Sequence, residues 1–445
     1  MRIHDSIRLQ VPDILLPKTG TDLAKWAVIA CDQYTSEPQY WDKAAAFVGG
    51  APSTLNLIYP EVYLHESHPE DRIARIREAM NRYMAQGLFE SREGCVYVER
   101  TTGDKTRKGL IAALDLEAYD YRKGSSTLIR ATEGTILDRI PPRVKIREGA
   151  PIELPHIMVL IDDPGNTVLG PLTRAKPRLS KLYDFELMLG SGRLSGYRVD
   201  DPAAEAGVVA ALRALADPAA FTGCYGLPAG TPVLLYAMGD GNHSLATAKT
   251  IWEKTKETAA DPRAVPASPL RYALVELVNL HDEALVFGAI HRVAFEVAPG
   301  RSLVEEAKTF FGGRVRWEKA CCAHVMQETV DEQRGLPHKI GTVTRDGAGV
   351  LEIDAAGSNL PVGTLQNFLD EFKKSGGMKD IDYVHGAEPV STLGAKPGNM
   401  GFYLPAMRKD NLFKTVILDG ALPRKTFSMG EAWEKRFYME ARRLI

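Results

Sequence analysis

The side chains best suited to chemistry lie together at Asp240, Gly241, Asn242, His243 and Ser244. A carboxylate, an imidazole and two small polar groups in one turn suit work on a charged or phosphorylated ligand. His243 can contact a transferred phosphoryl group, and Asp240 can hold Mg²⁺ or orient the imidazole. Their neighbours indicate how they would be positioned. Six apolar residues at 233–238 fit a buried strand. Gly239 and Gly241 break the run, and Leu245, Ala248, Trp252 and Thr255 then recur at helical steps. Strand, glycine turn and helix put the polar residues at a strand carboxyl end, where open α/β sheets bind ligands. The helix amino end adds N–H groups and a dipole that favour anions. Plain architecture uses the same residue types: glycine for a tight turn, Asn242 or Ser244 as a helix cap.

A second polar loop repeats the pattern. The apolar run WAVIA at 26–30 stops in Cys31, Asp32, Gln33, Tyr34, Thr35, Ser36 and Glu37. Asp32 or Glu37 within hydrogen-bond reach of a substrate hydroxyl can take its proton. Ser36 and Glu37 before Pro38 also read as the first turn of a helix. Arginines suit bidentate phosphate contacts, which singles out Arg130 and Arg139 in the basic stretch 130–147, with Glu133 beside them. Arg424, Lys425 and Thr426 form a second such group, ahead of an expected last helix with Ser428 and Glu431 at capping-box spacing. His291 and Arg292 complete the substrate- and phosphate-binding candidates. The acids Asp162 and Asp163 end a strand and suit a turn. His281, Asp282, Glu283 and His291 lack a recognised metal-ligand spacing.

The 445 residues carry 55 basic and 57 acidic side chains, a formal net charge of -2. That balance gives no basic footprint for nucleic acid. No stretch nears the ~20 apolar residues of a membrane helix, and no signal-peptide core opens the chain. Five cysteines without regular spacing argue for a reducing, cytoplasmic setting. The patterns mix strands and helices, an α+β (mixed α/β) class. The Ala-, Gly- and Pro-rich stretch 201–232 is the expected seam between 1–225, with substrate-binding loops, and 226–445, with the motif and LPRKTFSMG; the two can also interleave.

The segments VIACDQYTSEPQYW, IRATEGTILDRIPPR, GDGNHSLATAK, HDEALVFGAIHRV and LPRKTFSMGEA resemble those of domain-of-unknown-function family 1015, over nearly the whole chain. The family's central motif, usually written DGHHR, in turn is similar to that of free serine kinases of the ParB/sulfiredoxin superfamily. The resemblance implies a ParB/sulfiredoxin-like nucleotide-binding core with additional α/β subdomains. In that superfamily the motif opens a helix and meets nucleotide phosphates. Asp240, Gly241 and His243 match; Asn242 replaces the first histidine and Ser244 the arginine. Arginine offers five donors and serine one, so a phosphate grip must come from elsewhere. The implied activity is phosphoryl transfer to a small polar metabolite, serine or phosphoserine first, with nucleotide and Mg²⁺. A regulator that binds without turnover and a phosphatase are the alternatives.

Overall fold

The computed structural model describes residues 2–64, 66–135, 140–354 and 357–445. Its fold is α+β. The chain divides into two compact units: Met1–Ala131, Thr135–Leu285 and Glu431–Ile445 form the first, Thr132–Gly134 and Val286–Gly430 the second. This corrects the seam expected within 201–232. That stretch instead forms helices Pro202–Leu215 and Pro218–Tyr225, each capped by an aspartate, Asp201 or Asp217. Val208, Val209 and Leu212 of the former sit in the first unit's core, so its small residues serve helix packing, not a linker.

In the first unit, the largest sheet among the described residues has eleven strands. Its middle runs Cys95–Thr102, Lys105–Asp115, Tyr272–Asn279, Met158–Ile161, Tyr236–Asp240 and Ile129–Arg130. Successive side chains of a strand point to opposite faces, and here both faces are covered. Leu110, Ala112, Ala273, Val275 and Leu277 enter one core with Leu245, Ala248 and Trp252 of the helix Asn242–Thr258. Ile111 and Leu274 enter the other, with Trp26, Trp41, Phe437 and Tyr438. That double burial explains the near-continuous apolar runs. Glu276 is the buried exception, and it lies over Gly109, where a Cβ would come within 2.5 Å of its Oε1.

The expected last helix does not form. Phe427–Met429 is a strand paired with Phe287–Ala289 in the second unit. A capping box does occur, but between Glu431 and Glu434 on the single turn Ala432–Glu434. The chain then extends, and Phe437–Tyr438 pairs antiparallel with Val28–Ile29 in the first unit. Strand pairing and buried ion pairs of Arg436 and Arg442 outweigh the helical spacing of Trp433, Phe437 and Leu444.

The second unit is built on an antiparallel sheet ordered Val315–Lys319, Gly347–Ile353, His338–Thr344, Met400–Tyr403, Phe287–Val297 and Met378–His385. Helix Pro361–Lys374 buries Leu365, Phe368, Leu369 and Phe372, the face its i, i+3, i+4, i+7 spacing predicts.

Candidate functional site

Both polar loops and the carboxyl-terminal segment meet in the first unit. The strand Tyr236–Asp240 runs antiparallel to Met158–Ile161, with Asp240 opposite Met158. His156, two residues before that second strand, therefore lies beside the motif turn. Gly241 adopts φ +79°, and a Cβ there would stand 3.1 Å from Ile157 Cα; only glycine fits both the conformation and the gap. The helix Asn242–Thr258 begins immediately afterwards.

Ser244 Oγ is 3.1 Å from His156 Nε2, and Asp32 Oδ2 is 3.7 Å from the same nitrogen. Across the ring, Nδ1 is 2.6 Å from the Tyr438 hydroxyl, whose oxygen accepts from the Cys31 N–H at 3.3 Å. Arg436 Nε donates to the Pro155 carbonyl at 2.9 Å, which ties the carboxyl-terminal segment to the residue before His156. Lys435 Nζ donates to Asp240 Oδ2 at 2.9 Å, and the Gly241 N–H to Asp240 Oδ1 at 3.0 Å.

The charges are mutually adjusted. Burial pushes the Asp240 carboxyl up, but the Lys435 ammonium, with His156 and the Gly241 N–H, outweighs this and holds it below its usual range. Burial pulls Lys435 down, and Asp240, then Asp32, raise it overall. Both stay charged at neutral pH. Burial drives the Tyr438 hydroxyl and the Cys31 thiol well up, so each stays protonated. Beneath lies a second ionic layer: Glu276 takes Arg436 Nη1 at 2.6 Å and Arg107 Nε at 3.4 Å, and Glu440 takes Arg436 Nη2 at 2.6 Å.

His156, Tyr438, Cys31 and Ser244 line one side of a cleft of about 850 Å³, counted with its open mouth. Leu57, Ile58, Met80, Ile146 and Ile157 give it apolar walls, and the ion pairs Arg143–Glu61 and Arg147–Glu153 border it.

The expected site residues separate into groups. Asp32, Asp240, Gly241 and Ser244 surround His156 and Lys435. His243 is half-buried in the helix's first turn, and its carbonyl accepts from Thr247 Oγ1 at 2.7 Å. Asn242 Oδ1 is buried with no hydrogen-bond partner among the described residues. Glu37 is exposed at the amino cap of Pro38–Val48, with no side-chain cap bond.

Others need correction. Arg130 is buried, with Nε on Thr127 O at 2.7 Å and Nη2 on Pro232 O at 2.8 Å. Its guanidinium clamps backbone and does not reach for phosphate. Arg139 lies outside the described residues. Glu133, His291, Arg292, Arg424, Lys425 and Thr426 all belong to the second unit. There Arg292 donates to Gln366 Oε1 at 3.2 Å and the Arg424 carbonyl at 2.9 Å. His291 Nδ1 accepts from the Leu404 N–H at 3.1 Å, a core role. Arg424 donates to Tyr383 and Asp370; Thr426 is buried and donates to Pro423 O; Lys425 is exposed at φ +54°. The residues at Asp240 do not fit a dedicated Mg²⁺ site. Its carboxylate already holds Lys435 and the Gly241 N–H, and the described residues contain no group of three or more metal-ligating side chains suited to an ion. Among the described residues, no helix is long and apolar enough to cross a membrane.

A family of proteins of unknown function, DUF1015, matches residues 15–372. The chain belongs to that family. No curated protein sequence matches this DUF1015 member. Among solved structures it is similar to a free serine kinase variant in complex with ADP, at TM-score 0.38 and 11% identity over 76% of this chain and 93% of that one. A free serine kinase in complex with AMP gives TM-score 0.37 and 11% identity over 76% and 92%. A conserved hypothetical protein from Pyrococcus furiosus gives 0.35 and 11% over 74% and 93%.

Sequence reasoning missed His156, Tyr438 and Lys435. His156 opens an apolar strand and Tyr438 ends a buried pair, so each reads as core. Lys435 had one usable signal: a cation late in the chain, near buried arginines.

Proposed function

We propose that this DUF1015 chain binds a nucleotide at the Asp240–Ser244 turn and transfers a phosphoryl group to a small polar metabolite, with serine or phosphoserine as the first candidates. The observation that carries the reading is the meeting of Asp32 and Ser244 on His156, beside the positive end of the helix Asn242–Thr258. Phosphoryl transfer relies on positioning and charge stabilisation, and this turn offers both. The helix amino end and Lys435 supply positive potential. His243 contacts the transferred group. Asp32, partly exposed, takes the proton of the acceptor hydroxyl; Glu37 is the other carboxylate on that loop. No step runs through a protein-held metal.

The test is a kinetic assay of the purified chain with ATP or ADP, supplied as the Mg²⁺ complex, and L-serine. Product formation lost on Asp32→Asn and His243→Ala supports the reading. Absence of turnover in the wild type, together with absence of nucleotide binding, removes it. Binding without product points instead to a regulator, a reading favoured by Ser244 being engaged with His156 where the family motif has arginine.

A further inference from the structure

We infer that Ser244 is a nucleophile activated by His156, so that the cleft supports covalent acyl transfer from esters with an apolar acyl group. The inference goes beyond nucleotide binding, although it starts from the same contacts of Ser244 and Asp32 with His156.

The first concerns what Ser244 does not do. Serine and threonine inside a helix commonly bond back to the carbonyl four residues earlier. In this helix Thr247, Thr250, Thr255 and Thr258 all do so, at 2.7–2.9 Å. Ser244, third in the helix, has no intrahelical carbonyl four residues back, and its hydroxyl meets the imidazole of a different segment at 3.1 Å. It is not the helix cap either, since Gly241 holds that position.

The second is the ordering of the three groups. A hydroxyl within reach of a base, with the base oriented by a third group, is the arrangement that activates a nucleophile. Tyr438 stands 2.6 Å from Nδ1 and fixes the ring. With Nδ1–H donating to Tyr438, the Nε2 lone pair faces Ser244; with the Tyr438 hydroxyl donating to Nδ1, the proton sits on Nε2, and the reaction needs the first tautomer. Asp32 Oδ2 lies 3.7 Å from the same Nε2. Asp32 and Tyr438 act as positioning residues.

The third is access. Ser244 and His156 both line the cleft, whose aliphatic residues Leu57, Ile58, Met80, Ile146 and Ile157 lie beside the Arg143–Glu61 and Arg147–Glu153 pairs. The apolar part of an ester lies along those aliphatic residues with its carbonyl at Ser244.

The step balances. Ser244 Oγ bonds to the ester carbonyl carbon while its proton passes to His156 Nε2. The bond from that carbon to the alcohol oxygen breaks, and His156 gives the proton to the departing alcohol. Water then attacks the acyl-serine by the same proton route, which releases the acid and restores the hydroxyl.

The test uses the full chain and a fluorophosphonate probe, with adducts mapped by peptide mass spectrometry. A single adduct on Ser244 is expected, absent in Ser244→Ala and formed at least ~100-fold more slowly in His156→Gln. Tyr438→Phe, which keeps the ring and its packing, slows labelling as well. Each variant's thermal unfolding is recorded alongside. With 4-nitrophenyl esters, turnover rises roughly fourfold for each methylene added from acetate to butyrate as the acyl group enters the walls. No adduct on wild-type Ser244, or a folded His156→Gln labelled at the wild-type rate, overturns the inference. ADP titration of the same preparations keeps the two readings apart: intact ADP binding without labelling sinks this one alone.

Discussion

At the scale of single residues, Gly241 and Lys435 are the positions on which the candidate site turns. Gly241→Ala places a methyl group 3.1 Å from Ile157 Cα at φ +79°. We expect about 1–3 kcal/mol of lost stability, read as a lower midpoint in urea. Lys435→Met leaves the Asp240 carboxylate without its cation. Removing one partner of a fully buried pair costs ~3–5 kcal/mol; Asp240 is 24% exposed, so about 1–3 kcal/mol is expected. The same variant raises the Asp240 pKa, because the group that held it down is gone; an NMR titration of its carboxyl reads this. A downward or absent shift would mean the ion pair is not formed in solution. The motif residues were legible because glycines, an imidazole and a carboxylate between two periodic segments stand out. His156 was not legible. Its proximity to Ser244 comes from the antiparallel register of two strands more than 70 positions apart, and one chain's sequence does not display register.

At the scale of elements, the carboxyl-terminal segment clasps the first unit. Arg436 joins Glu276, Glu440 and the Pro155 carbonyl in one side chain. Arg436→Met leaves Glu276 with only Arg107 and Glu440 with only the Tyr183 hydroxyl, and should cost about 3–5 kcal/mol. The expected outcome is a large drop in thermal midpoint; a drop of only a degree or two would show that the ionic layer is dispensable. Long elements are legible in the sequence: apolar periods give helices over 69–86 and 364–374 and two turn-linked strands over 95–100 and 108–116, where the structure has Pro69–Ala85, Pro361–Lys374 (begun at Pro361, not capped by Thr364) and the hairpin of Cys95–Thr102 with Lys105–Asp115. The last segment is not. Ser428 with Glu431, followed by Trp433, Phe437 and Leu444, satisfies helical rules locally. Tertiary pairing of Phe437–Tyr438 with Val28–Ile29 overrides them, and Trp433 is left 44% exposed.

At the scale of the whole molecule, the two units answer acid differently. In the second, burial pulls His291 and His338 down to about 4, against ~6.5 for an unfolded histidine. A folded value below the unfolded one means stability that is complete above pH ~6.5 and lost as pH falls towards ~4. In the first, burial pushes Glu153, Glu276 and Asp240 up, but arginines or Lys435 outweigh it and hold all three below their usual range. Their contribution is lost only below about pH 4. Peptide-level hydrogen exchange at pH 7, 5.5 and 4.5 should therefore show 286–430 loosening first, and His338→Gln should flatten that trend.

The most direct measurement is hydrogen exchange of the full chain with and without ADP. Convergence of the two loops on His156 predicts protection in peptides covering 28–38, 153–158, 238–248 and 433–439. Protection confined to 286–296 and 420–428, or none at saturating ADP, would contradict it.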